Sequence, residues 1–174
     1  METVLERARA VRLMAFDVDG VLTDGALYVT DGGEEIKAFH TLDGLGLKLL
    51  QSTGVAIALI TGRQSRLVAK RAAELGVQHL FQGVEDKLAV LEDLRARLGI
   101  AMSACGYMGD DLPDLPLLTR CGLAATVPDA PEAVRERVHY VSRRSGGRGA
   151  VRELCELILA AQGRLDAAVG RYLG

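Results

Sequence analysis

The stretch Leu13-Met14-Ala15-Phe16-Asp17-Val18-Asp19-Gly20 constrains this chain more than any other. Four apolar residues run straight into two carboxylates at i and i+2, with a glycine directly behind. A short apolar run of this kind reads as a strand buried on both faces, as in a parallel sheet. Such a strand delivers Asp17 and Asp19 to the crevice at the carboxyl edge of the sheet, where open α/β folds take their ligands. Gathering carboxylates there is costly unless a cation or a reaction uses them.

The rest of the chain keeps the rhythm such a sheet requires. Strands are expected at Val11–Phe16, Ala56–Ile60, His79–Phe81, Cys105–Met108 and Leu123–Thr126, with a short one at Tyr140–Val141. Amphipathic stretches between them predict helices over about Gly44–Ser52, Ser65–Leu75, Lys87–Leu98, Leu115–Arg120, Ala133–Arg137 and Val151–Gln162. Gly54, Gly76 and Gly99 suit the left-handed position that ends a helix. Ala26–Thr30 and Glu35–Phe39 flank Asp31-Gly32-Gly33 and read as a β-hairpin inserted after the first strand. The expected fold is α/β: a doubly wound, mainly parallel sheet with helices on both faces, in one domain of 174 residues. The hairpin would form a flap at about 26–40 and the C-terminal tail would begin at about Gly146. No stretch between the first two main strands is long enough for a lid domain, so the crevice is either open or covered by another subunit.

Bulk properties narrow the partners. A formal net charge of −2 gives no general attraction to nucleic acid or to an anionic membrane. No apolar stretch approaches the ~20 residues that span a bilayer, and the first residues lack the pattern of a signal peptide. Cys105, Cys121 and Cys155 are far apart and show no metal-ligand spacing, so they read as reduced, mostly buried thiols of a cytoplasmic protein.

Four predicted strand ends carry polar groups that complement one another. Asp17 and Asp19 follow the first strand, and Thr61-Gly62-Arg63 follows Ala56–Ile60. Lys87 opens a helix after the third main strand, and Gly109-Asp110-Asp111-Leu112-Pro113-Asp114 follows Cys105–Met108. Parallel strands share a direction, so all four sets meet at one edge. The chemistry that needs this set is phosphoryl transfer from a monoester. The substrate is a dianion, and Mg²⁺ held by hard oxygen ligands shields a carboxylate nucleophile from it. A hydroxyl from Thr61, nearby backbone N–H groups and the Lys87 ammonium would hold the equatorial oxygens, where transition-state charge resides. On this reading Asp17 is the nucleophile and Asp19 the general acid/base. Asp110 is a metal ligand, with Asp111 or Asp114 behind it.

Each piece alone is weak, since Asp-Gly pairs make turns and lone lysines lie on surfaces. Their joint order carries the reading. Asp17-x-Asp19-Gly20-Val21, Thr61-Gly62-Arg63, Lys87 and Gly109-Asp110-Asp111 resemble the four motifs of the haloacid dehalogenase-like phosphatases. The run from Asp17 to Gly25, Phe39-His40 with Asp43-Gly44-Leu45-Gly46, and Gly146-Gly147-Arg148-Gly149 through Glu153 resemble the 3-deoxy-D-manno-octulosonate 8-phosphate phosphatase family. The likeness continues to Asp166 and so covers almost the whole chain.

This resemblance implies a capless, Rossmann-like phosphatase of lipopolysaccharide synthesis. It implies Mg²⁺ held by the carboxylates of Asp17 and Asp110 and the main-chain carbonyl of Asp19. It also implies a homotetramer in which hairpins pack together and a neighbour's tail, with Arg148, helps close the site. His40, Thr41, Leu42, Asp43, Gly44, Gly62, Arg63, Arg71 and Lys87 fall where that family contacts substrate and phosphate. Leu42 stands where many relatives carry a basic residue. Arg63 suits a sugar-acid carboxylate by bidentate pairing, and favours the eight-carbon acid over a 9-phosphorylated nonulosonic acid. A two-component receiver domain also gathers Asp, Thr and Lys on a doubly wound sheet, but in a different order. There the acidic groups precede Thr and Lys, whereas here an acidic cluster follows Lys87.

Overall fold

The computed structural model of the chain describes residues 3–173. Six parallel strands form the sheet: β1 (Leu13–Phe16), β4 (Ala56–Ile60), β5 (His79–Phe81), β6 (Cys105–Met108), β7 (Leu123–Thr126) and β8 (Tyr140–Val141). Their spatial order is β5-β4-β1-β6-β7-β8. Every neighbouring pair is parallel, with Leu13 opposite both Ala56 and Cys105. The chain first winds outward from β1 to β4 and β5, then returns and winds the other way through β6, β7 and β8. That reversal makes the carboxyl end of β1 a topological switch point, which opens a crevice there.

Parallel crossovers are right-handed as a rule, which distributes the helices over both faces. The helices α2 (Thr41–Gln51) and α7 (Ala150–Ala161) pack on each other, and α1 (Val4–Ala10) packs on α7. The helix α4 (Lys87–Arg97) packs on α5 (Leu115–Leu118). The remaining helices are α3 (Arg66–Leu75), α6 (Glu132–Arg135) and α8 (Leu165–Gly170). With both faces covered, β1, β6 and β7 are buried at every position. The sheet is tightly fitted: a Cβ on Gly106 of β6 would come within 2.4 Å of Met14 Sδ on β1.

The expected left-handed glycines are present, with φ of 90° at Gly54, 69° at Gly76 and 63° at Gly99. The hairpin also forms, as β2 (Tyr28–Val29) and β3 (Glu35–Ile36), antiparallel with Tyr28 opposite Ile36. It is much shorter than the flanking runs suggest.

Two expectations are corrected. The first strand begins at Leu13, because the residues before Val11 form α1. A capping box holds that helix, with Thr3 Oγ1 accepting from Glu6 N at 3.2 Å and the Glu6 carboxylate accepting from Thr3 N at 2.7 Å. The helix α2 starts at Thr41, three residues before Gly44, because His40 Nδ1 accepts from Leu42 N at 3.2 Å and caps it.

The C-terminal segment from Gly146 packs into this chain's own core. Leu154 and Ile158 are fully buried, and Leu157 and Ala161 pack against the core. Gly146 and Gly147 lie against their own chain's loop after β1. A Cβ on Gly146 would stand 1.8 Å from the Gly20 carbonyl oxygen, and Gly147 N donates to Val21 O at 3.0 Å. The glycines are therefore needed for a backbone-on-backbone contact in cis.

Asp43, expected at the substrate, instead fastens α2 to α7. Its side chain is buried, accepting from Arg152 N at 2.9 Å and Gly149 N at 3.2 Å. These are N–H groups at the start of α7 that its own turns leave unpaired. Asp43→Ala is expected to lower the unfolding free energy by about 1–3 kcal/mol, measured as a shift in the urea midpoint with little change in the slope.

Candidate active site

The carboxyl ends of β1, β4 and β6 and the start of α4 line a cleft of about 450 Å³. Asp17 is the first residue past β1. Its Oδ1 accepts from Val18 N at 2.7 Å and its Oδ2 from Lys87 Nζ at 2.8 Å. Lys87, the first residue of α4, reaches the cleft because Asp86 caps that helix through Ala89 N at 3.0 Å. The Lys87 ammonium also donates to Asp114 Oδ1 at 2.7 Å. Burial alone would push Lys87 down, but the charges of Asp17 and Asp114 outweigh it and hold the ammonium above its ordinary value.

Asp114 is the least exposed of the acidic residues here, and both of its oxygens are occupied. Tyr107 on β6 donates its hydroxyl to Oδ1 at 2.7 Å, while Asp110 N and Asp111 N donate to Oδ2 at 3.0 and 3.2 Å. Asp114 thus shapes the loop after β6 and holds Lys87 in place. Asp111 caps the 3₁₀ turn Leu112–Asp114 through Leu112 N at 2.7 Å and is exposed. The loop is close-fitting: a Cβ on Gly20, whose φ is 88°, would meet Asp110 Oδ2 at 2.0 Å.

Asp17, Asp110 and Asp114 each bring a carboxylate oxygen to within 4.8 Å of the others. Oxygens that close could share one cation. The crowding appears in their acidity. Burial first, and then the charge of Asp114, raises Asp17 against the pull of Lys87. Burial, followed by the charges of Asp17, Asp114 and Asp111, pushes Asp110 up to about 7.

Thr61, just past β4, is buried, and its hydroxyl oxygen lies 3.4 Å from Arg63 N. Gly62 and Arg63 line the same cleft. Asp19 stands at its mouth, joined to Lys37 and with Oδ2 3.8 Å from Arg63 Nε. The structure therefore brings together Asp17, Asp19, Thr61, Gly62, Arg63, Lys87, Asp110, Asp111 and Asp114.

It does not bring the remaining candidates into that cleft. His40, Asp43, Gly44 and Arg71 border a separate small pocket between α2 and α3. There Arg71 lies over the Phe39 ring at 6.0 Å and pairs with Glu74 at 3.3 Å. Gly44 gives Arg71 room, since a Cβ there would come within 2.4 Å of its Nη2. Thr41, Leu42 and Arg148 are exposed outside the cleft. Glu35, Lys37, Ser65 and Tyr107 were not singled out from the sequence, although each contacts a candidate or one of its partners. Tyr107, an aromatic residue buried inside a β-strand beside an acidic loop, carried a readable signal. Lys37, just past a two-residue strand, carried none.

Carboxylates whose folded-state acidity is weakened stabilise the fold below about pH 4. They lose that contribution as pH rises through about 7. With EDTA present, the unfolding temperature should therefore fall between about pH 5.5 and about pH 8, and fall less in Asp110→Asn. Added Mg²⁺ should raise it most at the higher pH, where the oxygens are free of protons. A thermal-shift series over pH reads all three.

Residues 79–154 match the haloacid dehalogenase-like hydrolase family. The chain is 46% identical over 170 residues to the 3-deoxy-D-manno-octulosonate 8-phosphate phosphatase KdsC of Escherichia coli K12, covering 98% of this chain and 90% of that protein. It superposes on the Moraxella catarrhalis 3-deoxy-D-manno-octulosonate 8-phosphate phosphatase, solved with a magnesium ion, a phosphate ion and KDO. The TM-score is 0.95 with 46% identity over 97% of each chain. A probable YrbI family phosphatase from Pseudomonas syringae superposes with a TM-score of 0.96 and 53% identity, over 98% of this chain and 97% of that one. Likeness of this extent, running through the cleft and the core alike, means that the chain belongs to the 3-deoxy-D-manno-octulosonate 8-phosphate phosphatase family of haloacid dehalogenase-like hydrolases.

Proposed function

We propose that this protein is a Mg²⁺-dependent phosphatase that hydrolyses 3-deoxy-D-manno-octulosonate 8-phosphate to the free sugar acid and inorganic phosphate, a step of lipopolysaccharide synthesis. The observation that carries the reading is the meeting of Asp17 and Asp110, from two separate strand ends, within 4.8 Å beside a buried Lys87.

The donor set fits Mg²⁺. It is all hard oxygen, and the carboxylates outnumber the one ammonium that balances them. Asp17, Asp110 and the main-chain carbonyl of Asp19 would hold the ion, with Asp114 behind them fixing the loop. When bound, the ion supplies charge neutralisation, so that an anionic nucleophile and a dianionic phosphate can approach.

The rest is the work of the chain's own residues. Lys87 and the Thr61 hydroxyl, with the N–H groups that follow it, bind the equatorial phosphate oxygens and pair with charge that grows in the transition state. An oxygen of Asp17 bonds to phosphorus as the bond to the sugar oxygen breaks, and Asp19 gives its proton to that leaving oxygen. Asp19 then takes a proton from water as the water attacks phosphorus. The acyl-phosphate bond breaks, phosphate leaves and the Asp17 carboxylate returns.

Arg63 is assigned to the sugar-acid carboxylate. Its side chain is half exposed at the cleft mouth, where a planar guanidinium can pair bidentately. The hairpin residues Leu27, Tyr28, Val29 and Ile36 are exposed and largely apolar, which supports assembly through that element into a tetramer. Arg148 is then assigned to closing a neighbouring subunit's cleft. Among the described residues no helix is long and apolar enough to cross a membrane. The three free, buried cysteines support a cytoplasmic setting.

Phosphate release from a panel of sugar phosphates, with and without Mg²⁺, tests the reading. Turnover should require Mg²⁺ and favour the eight-carbon acid, and a clear preference for a nine-carbon acid phosphate would replace that substrate. Asp17→Asn should keep the fold and leave less than about 1% of turnover. Arg63→Ala should raise KM for the sugar-acid phosphate by about tenfold or more and leave phosphate esters without a carboxylate little affected.

A further inference from the structure

Lys37 projects from a hairpin whose neighbouring Ile36 is exposed, yet the Lys37 side chain is only 3% exposed. A lysine enclosed to that degree needs opposite charges around it, and two carboxylates supply them. Its ammonium is joined to Asp19 Oδ1 and lies 3.1 Å from Glu35 Oε1. Glu35 is itself held, because Ser65 Oγ donates to its Oε2 at 2.6 Å, and Ser65 is anchored in turn by its N–H to Gln82 Oε1 at 2.8 Å. Arg63 completes a ring of alternating charge, with Nη2 3.7 Å from Glu35 Oε1 and Nε 3.8 Å from Asp19 Oδ2.

The two cations in this ring are not equivalent. Arg63 is 52% exposed and its contacts are long, so it leaves Asp19 free to change rotamer. Lys37 is enclosed and in direct contact with Asp19. Asp19 also lacks the support that fixes Asp17, since among the described residues no backbone N–H donates to its carboxylate and it follows no strand directly.

We propose that Lys37 is a positioning residue for the phosphatase reaction: it holds the Asp19 carboxyl group toward the leaving oxygen, and Glu35 with Ser65 holds Lys37 in place. The inference rests on the assignment of Asp19 as general acid/base. It makes the hairpin part of the catalytic apparatus of its own subunit. Lys37 touches no reacting atom, and the benefit is orientation, which a displacement of about 1 Å is enough to lose.

Leaving-group dependence tests this. An alkyl phosphate expels an alkoxide that needs a proton, whereas p-nitrophenyl phosphate expels a phenolate that does not. Turnover of both is measured for wild type, Lys37→Met and Lys37→Arg, with unfolding temperature and oligomer size alongside. Lys37→Met should lower the ratio of kcat on the sugar phosphate to kcat on p-nitrophenyl phosphate by at least about tenfold, with KM for the sugar phosphate changed by less than about threefold. Lys37→Arg should restore part of the ratio. Equal losses on both substrates would make Lys37 a structural support and overturn the proposal, as would an unchanged ratio. If Lys37→Met does not fold, Glu35→Gln, which keeps the size of the side chain and loosens Lys37, should shift the ratio the same way. Wild type that turns over neither ester would overturn the phosphatase reading itself, while active wild type with an unaltered ratio in the variants would overturn only the role of Lys37.

Discussion

The contact on which this site depends is that of one buried ammonium with two buried carboxylates. Lys87 lies between Asp17 and Asp114 at 2.8 and 2.7 Å. Without it, Asp17 and Asp114 would be unpaired charges in a low-dielectric setting, a strongly destabilising state. Yet the compensation is incomplete, because Asp110 also converges on the same point. Three carboxylates against one ammonium leave two negative charges, which is the charge a divalent cation cancels. The weakened acidity of Asp17 and Asp110 is that imbalance seen from the proton's side. Metal binding and proton binding therefore compete for one set of oxygens.

The fold makes this charge deficit tolerable by dividing its support among rigid elements. Asp17 leaves β1, the loop bearing Asp110 leaves β6, and Lys87 begins α4. The first two are joined through the sheet, where Asp17 N donates to Met108 O at 2.9 Å. Asp114 ties them together: it takes two N–H groups from the loop on one oxygen, and Tyr107 and Lys87 on the other. A carboxylate so fully engaged has little capacity left for a cation. That favours a supporting role for Asp114 and leaves Asp17 and Asp110 with the freer oxygens.

What the sequence disclosed and what it hid divide along physical lines. The sheet was legible because its strands are buried on both faces and so appear as uninterrupted apolar runs, each ending in polar residues. Asp17, Thr61, Lys87 and Asp110 were legible for the same reason: each lies within two residues of a strand's end or opens a helix. The start of α1 was also readable in principle, through Thr3 and Glu6 at capping-box spacing. The structural role of Asp43 was hidden, because the N–H groups it satisfies lie more than a hundred positions away. The glycines at 146 and 147 suited close approach to an anion equally well as close approach to the chain's own loop, and only tertiary structure decides between them.

Lys37 was hidden for a further reason. A two-residue strand gives no periodicity to read, and a lysine in a hairpin usually faces water. Alternation along β3 and into the residue after it nonetheless sends Glu35 and Lys37 inward to the ring with Asp19 and Arg63, and sends Ile36 outward. Two short strands are marginal on their own in water, so the hairpin's placement must come from contacts beyond its own ladder. On the inner side those contacts are the charges at the cleft mouth, together with Ser65. The interactions that keep the hairpin in position are thus the same ones that fix Asp19 at the cleft mouth, and neither can be loosened without loosening the other.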